Sequence, residues 1–165
     1  MRRLFGPAVA LLLLGACGDA DAAPDASATL STAGSQQLPS IVVYKTLTCG
    51  CCGGWVEHMR QSGFAVDVRD LPGNMELMQV KAEAGVPGDM ASCHTSLVDG
   101  YVIEGHVPAD QVKRLLAERP ALAGIAAPGM PAGSPGMDVP NSPPYEIIAW
   151  NQDGAKSRYA EIRPR

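Results

Sequence analysis

Three cysteines lie within four residues, at the point where an apolar strand is predicted to give way to a helix. They are Cys49, Cys51 and Cys52, and glycines follow Cys49 and Cys52. Four residues of extended chain span at most roughly 10 Å, and the glycines let the backbone turn tightly. The three sulfurs can therefore converge, which predicts a site for a soft metal ion or for a redox pair.

Composition restricts the function classes open to this chain. It has 165 residues, enough for one ordinary domain. The net charge is −4 and there is no run of Lys or Arg, which argues against nucleic acid as a partner. Five cysteines in an exported chain are typical of a disulfide framework with one thiol left over.

The N-terminus has the pattern of an export signal. Two arginines precede an apolar run over residues 8–14 that is too short to span a bilayer. The following Leu-Gly-Ala-Cys17 resembles the lipobox of bacterial lipoprotein precursors, in which the cysteine becomes the lipidated N-terminus. The resemblance implies a signal peptide over residues 1–16. It also implies that Gly18, rather than an Asp, directly after the cysteine favours the outer membrane as the location.

The segment after the lipobox is predicted to be a tether. Residues 17–38 are rich in Ala, Ser and Asp with little to bury, so we expect a flexible linker, with a folded domain over residues 39–165. The protein is thus expected in the bacterial cell envelope, lipid-anchored and facing the periplasm.

The folded domain is predicted to be α/β. Its expected elements are a strand, a helix, a strand, a helix, a hairpin and a helix, over residues 41–44, 52–62, 64–68, 75–84, 95–98 with 101–107, and 109–118. This order is that of the thioredoxin-like fold, a mixed sheet flanked by helices. Residues 126–144 are predicted to be a C-terminal loop, and residues 145–150 and 158–162 a small hairpin.

The Asp99-Gly100 pair predicts a two-residue hairpin turn. With that turn, Cys93 lies opposite His106. Directly opposed side chains share a face of the sheet with Cβ atoms ~5 Å apart, so this thiol and imidazole are expected to point together. His94, the next residue along the strand, is expected to point away.

The cysteine spacing is compatible with two kinds of chemistry. Cys49 and Cys52 form a C-x-x-C pair at a helix N-terminus, where the helix dipole stabilises a thiolate and favours thiol exchange. Cys51 offers competing disulfides, however, and C-x-C and C-C spacings suit sulfurs that bridge several metal ions. This favours soft Cu(I) over zinc. Met130 in the predicted loop is a further thioether candidate.

Four segments resemble the signature segments of a bacterial metal-binding family known as a domain of unknown function, which includes the periplasmic copper-resistance proteins of CopG type. The resemblance runs from Ile41 to about Trp150. It implies copper held by the C-x-C-C motif and Cys93 on a thioredoxin-like frame, with a role in copper redox handling. It also implies that Cys93 lies against the C-x-C-C motif. The segments are Cys49-Gly-Cys-Cys-Gly-Gly-Trp55, Ser92-Cys-His-Thr95, Gly105-His-Val-Pro108 and Gly129-Met-Pro-Ala-Gly-Ser-Pro-Gly-Met137.

The sequence is compatible with three alternative functions. The first is an exported copper-resistance protein that holds Cu(I) as a thiolate-bridged cluster and works with other periplasmic copper proteins; its ligands are Cys49, Cys51, Cys52, Cys93, His106 and Met130. The second is a thiol-disulfide or copper oxidoreductase that uses Cys49 and Cys52 and takes electrons from a protein or thiol donor. The third is a structural lipoprotein held by disulfides.

Overall fold

A computed structural model describes residues 37–164 of the chain. The predicted signal peptide over residues 1–16, the lipidation site at Cys17 and all but the last two residues of the predicted tether lie outside the described residues.

Within residues 37–164 the chain forms seven strands and three α-helices, which confirms the predicted α/β class. None of these helices has both the length and the apolar character needed to span a bilayer. The elements are β1 (Ile41–Thr46), α1 (Gly50–Gln61), β2 (Val66–Leu71), α2 (Asn74–Glu83), β3 (His94–Val98), β4 (Tyr101–Gly105), α3 (Ala109–Glu118), β5 (Gly124–Ala127), β6 (Tyr145–Trp150) and β7 (Lys156–Ile162).

The seven strands form one mixed sheet in the order β2-β1-β3-β4-β5-β6-β7. The pairs β1 with β2 and β4 with β5 are parallel, and each is connected through a helix, as parallel neighbours require. All other neighbouring strands are antiparallel. The parallel βαβ unit predicted from the sequence is confirmed.

The sheet carries apolar side chains on both faces. The larger cluster joins α1 and α3 to the sheet through buried residues such as Trp55, Met59 and Leu115. A smaller cluster that includes Val102 and Trp150 lies on the other face, because successive residues of a strand alternate between faces. The cysteine motif, at the start of α1, therefore lies on the same face of the sheet as the larger cluster.

The predicted hairpin register is confirmed. Asp99 and Gly100 have φ angles of 47° and 86°, the left-handed conformation that a two-residue type I′ turn needs at both positions. Val98 pairs with Tyr101, and the pairing continues to Thr95 with Glu104.

The C-terminal part of the fold differs from the prediction in two ways. The predicted loop over residues 126–144 begins inside a strand, β5, whose four residues are fully buried between β4 and β6. Its sequence, Gly-Ile-Ala-Ala, is too short and small-sided to carry a strand pattern. The two last strands are not a separate small hairpin: they extend the main sheet through β5.

Candidate metal centre

Four cysteine sulfurs converge at the N-terminus of α1. Cys49 precedes the helix, and Cys51 and Cys52 lie in its first turn. Cys49 and Cys52 form a disulfide, and the sulfur of Cys51 lies 3.6 Å from that of Cys49. Cys93 comes from the segment before β3, and the four sulfurs lie within 4.8 Å of one another.

The start of α1 is arranged to favour negative sulfur. The residue before the helix, Cys49, has extended backbone angles and gives no side-chain hydrogen bond to the helix. Free N–H groups of the first turn and the positive end of the helix dipole therefore lie beside the cysteines. Both effects stabilise a thiolate over a thiol.

His106 joins the cluster in a defined orientation. Its Nε2 lies 2.8 Å from the sulfur of Cys93, and its Nδ1 lies 2.7 Å from the carbonyl oxygen of Pro135. A carbonyl oxygen can only accept a hydrogen bond, so Nδ1 carries the proton and donates it. The lone pair of Nε2 is then directed at the sulfurs, in the way that backbone carbonyls orient metal-binding imidazoles.

His94 also faces the cluster, so the prediction that it points away is wrong. Its ring is fully buried, with its centroid 4.5 Å from that of Trp55, and its Nδ1 lies 3.7 Å from the sulfur of Cys93. The prediction extended strict strand alternation over both ends of the hairpin. The chain bends at Cys93, and Gly105 has a φ of +69°, so alternation ends before Cys93 and His106.

The donors form two overlapping sets of four. The first set is Cys49, Cys51, Cys52 and Cys93, and the second is Cys52, Cys93, His94 and His106. Cys52 and Cys93 therefore belong to both sets. The first set is partly exposed except at Cys52, whereas both histidines are buried. With the Cys49–Cys52 disulfide reduced, the two shared sulfurs are suited to bridging metal ions, and a set of thiolates and imidazoles suits soft or borderline metal ions rather than hard cations.

Burial sets the protonation states of these donors. It lowers the pKa of His94 well below the usual value, and repulsion from a proton on His106 and from the Lys81 ammonium adds to the effect. Burial lowers the pKa of His106 as well, partly offset by its bond to Pro135. Burial, with the charge of Cys51, raises the pKa of Cys93 to about 12. At neutral pH both imidazoles are therefore free bases, whereas Cys93 needs a metal ion to displace its proton.

A segment that we call the strap, residues 129–137, closes one side of the cluster. Its Gly136 lies directly on α1, where a Cβ atom added to Gly54 would stand 2.8 Å from the Cα of Gly136. This contact brings the Pro135 carbonyl to His106. Met130, at the start of the strap, has a side chain that is 56% exposed, and its role as a thioether ligand stays a prediction.

The comparisons with known proteins point to one group. A family described as a protein of unknown function, DUF411, matches residues 90–137, which include Cys93, His106 and the strap. Two solved structures are similar over nearly their whole length, and both are of a copper resistance protein copG. Form 2 has a TM-score of 0.71 and is 38% identical, covering 76% of this chain and 99% of that chain. Form 1 has a TM-score of 0.70 and is 40% identical, covering 78% of this chain and 99% of that chain. No curated protein matches the sequence.

Proposed function

This chain belongs to the family of the copper resistance protein CopG, and on that basis we propose that it is an exported protein that binds copper as Cu(I) in a thiolate-bridged cluster and serves copper resistance. The ligands are Cys49, Cys51, Cys52 and Cys93, with imidazole nitrogens completing the set. Metal ions and other periplasmic copper proteins are its partners.

The sharing of Cys52 and Cys93 between two donor sets is the observation that carries the proposal. A single ion bound by four ligands would leave two of the six donors unused. Sulfur that bridges two ions uses all six, and thiolate is the protein ligand best suited to bridge Cu(I). The site therefore favours more than one copper ion per chain.

Copper loading is linked to the redox state of the motif. The disulfide between Cys49 and Cys52 has no thiolate to offer. It becomes two thiolates when two electrons enter the S–S bond, and these thiolates would then bind Cu(I) instead of protons. Because the same cysteines form the disulfide and bind the metal, the protein is suited to copper redox handling with a thiol or a protein as electron donor.

The thioredoxin-like assignment is part of the same proposal. The order β2-β1-β3-β4 with a parallel β1–β2 pair and a C-x-x-C disulfide at the start of α1 support it. Relative to the four strands of a thioredoxin-like sheet, β5, β6 and β7 are additional strands beside β4.

A copper count tests the proposal. The full chain with Cys17→Ser, purified without oxygen from copper-fed cells, should contain more than one copper ion per chain and little zinc. The matched Cys93→Ser variant removes one shared sulfur and should lose most of the copper. Copper-free protein from the same cells would contradict the proposal.

The disulfide supports a second candidate function, thiol-disulfide exchange. Cys49 and Cys52 lie at a helix N-terminus, the usual place for an exchanging pair. An exchanging enzyme should reduce a protein disulfide at a rate that Cys51→Ala leaves unchanged and Cys49→Ala abolishes. Absence of exchange in the metal-free reduced protein would leave copper binding alone.

A further inference from the structure

An ion pair is buried on the face of the sheet opposite the cysteine cluster. The Lys81 ammonium, on α2, lies 2.5 Å from Oε1 of Glu104 on β4, and both side chains are almost completely buried. Thr95, the cross-strand partner of Glu104, donates its hydroxyl to Oε2 of the same carboxylate at 2.7 Å. Buried charges of this kind are costly, and apolar side chains often serve the fold as well or better.

The carboxylate of Glu104 also holds the segment that carries Cys93. The backbone N–H of Ser92 donates to Oε1 of Glu104 at 2.6 Å. Ser92 immediately precedes Cys93, and its side chain lies so close to Gly105 that a Cβ atom there would overlap it. Gly105 in turn immediately precedes His106. One carboxylate therefore fixes the chain next to both members of the Cys93 and His106 pair.

Ser92 links the same point to the strap. Its hydroxyl donates a hydrogen bond to the carbonyl oxygen of Gly129, the first residue of the strap, and the two residues form an isolated bridge. The strap ends on α1 and supplies the Pro135 carbonyl to His106. A shift at Ser92 would thus move the sulfur of Cys93 and the start of the strap together.

We propose that Glu104, held by Lys81 and Thr95, is a positioning residue: through the N–H of Ser92 it fixes the sulfur of Cys93 against His106 and the C-x-C-C motif. Glu104 accepts hydrogen bonds from Lys81, Ser92 and Thr95, none of which is a proposed copper ligand. Its significance for copper rests on the proposed function, whereas its effect on the position of Cys93 does not. Residues that orient metal ligands typically change metal affinity by roughly 10- to 100-fold when they are replaced.

Two matched variants isolate this role. Both carry Lys81→Met and Thr95→Val, and they differ only at Glu104. Glu104→Gln keeps an oxygen that accepts from the Ser92 N–H, whereas Glu104→Leu removes it. Neither variant leaves a buried charge without its partner.

The first readout is the alkylation rate of Cys93, which needs no copper. With Cys17→Ser and Cys51→Ser added, and with the Cys49–Cys52 disulfide intact, Cys93 is the one remaining thiol of the five cysteines. We expect the Gln variant to react with iodoacetamide as slowly as the protein with Lys81, Thr95 and Glu104 intact, and the Leu variant several-fold faster, because loss of the bond to Ser92 lets this segment open more often. Equal rates in the two variants would overturn the proposal.

The second readout is Cu(I) affinity, measured with Cys51 present by competition with a chelator. The Leu variant should bind about 10- to 100-fold more weakly than the Gln variant. If the parent protein binds no Cu(I), the proposed function fails, and the alkylation rates still test the positioning role. Leu115→Ala, which disturbs the core away from the network, is the stability control and should leave the alkylation rate unchanged.

Hydrogen exchange keeps the test decisive if the triple variants do not fold. In the unmodified, metal-free full chain the Ser92 amide should be protected to the same degree as amides in β4. Exchange of the Ser92 amide at the rate of an unprotected loop would overturn the proposal.

Discussion

The Nε2 atom of His106 lies 2.8 Å from the sulfur of Cys93, although the two residues are 13 positions apart in the chain. The hairpin register brings them to the same end of β3 and β4. Because Nδ1 of His106 is committed to the Pro135 carbonyl, Nε2 is the nitrogen available to a metal ion. The pair therefore joins the histidine side of the cluster to its cysteine side.

Replacement of either histidine should weaken copper binding. We expect His106→Ala to lower Cu(I) affinity by roughly tenfold or more, because one oriented donor is lost. His94→Ala should lower the affinity and also the stability, by about 2–4 kcal/mol, because a fully buried ring leaves a cavity beside Trp55. Competition with a Cu(I) chelator and urea unfolding measure the two effects.

His94→Phe separates the two roles of His94. The phenyl ring fills the space beside Trp55 but offers no nitrogen, so the fold should be kept while copper affinity falls. If the His94→Phe and His106→Ala proteins both bound Cu(I) as tightly as the parent, neither imidazole would be a ligand.

Gly136→Ala should loosen the strap. Gly136 has a φ of +83°, and a Cβ atom there would stand 2.8 Å from the backbone nitrogen of Trp55. We expect a loss of about 1–3 kcal/mol in the free energy of unfolding from this overlap, together with loss of the fixed Nδ1–H tautomer of His106 in nitrogen NMR spectra. Gly88→Ala is the control, because nothing lies within 4 Å of a Cβ atom at Gly88; equal effects of the two substitutions would argue against the strap.

The metal-free protein should lose stability in acid. Burial holds the pKa of His94 well below its usual value of 6.5, so below pH 6.5 the unfolded chain takes up a proton that the folded chain does not. Stability is therefore full above this pH and falls as the pH drops, by up to about 1.4 kcal/mol per pH unit for one histidine.

Urea midpoints between pH 7.5 and pH 5 measure this loss. His106, whose pKa burial also lowers, should add to it, and His94→Phe should make the dependence shallower. A His94→Phe protein with the same pH dependence as the parent would show that His94 does not contribute.

The anchor should be separable from the metal site. Cys17→Ser should release the protein from membranes and leave copper binding intact, because the predicted tether separates Cys17 from the domain. Cys93→Ser is the converse control: it should stay with the membranes and lose copper. Fractionation decides the matter, and a Cys17→Ser protein that sedimented with the membranes would refute the lipobox interpretation.

Local signals were sufficient for much of the fold. The Asp99-Gly100 turn determines the hairpin register, and the apolar periodicity of residues 109–118 matches α3. β5 carries no such signal, because its small residues are strand-forming only where β4 and β6 enclose them. Its place in the sheet depends on tertiary contacts that no short window of sequence contains.

The site was predictable in its sulfurs and less so in its nitrogens. The spacing of Cys49, Cys51 and Cys52 pointed to one site, and the hairpin register placed Cys93 and His106 at the same end of β3 and β4. His94 was misplaced because the prediction continued strand alternation through Cys93, where the chain bends; His94 is the first residue of β3. The positioning role that we propose for Glu104 could not be foreseen, since a carboxylate in a strand gives no sign of which backbone N–H it will meet.

Copper stoichiometry in the Cys51→Ala and Cys49→Ala proteins tests the central claim most directly. Loaded with Cu(I) without oxygen, the parent should bind several ions per chain, and both variants should lose copper to the same extent, because each sulfur is a ligand of the proposed bridged cluster. Full copper stoichiometry in Cys51→Ala, with loss only in Cys49→Ala, would contradict the cluster and identify Cys49 and Cys52 as a simple dithiol pair.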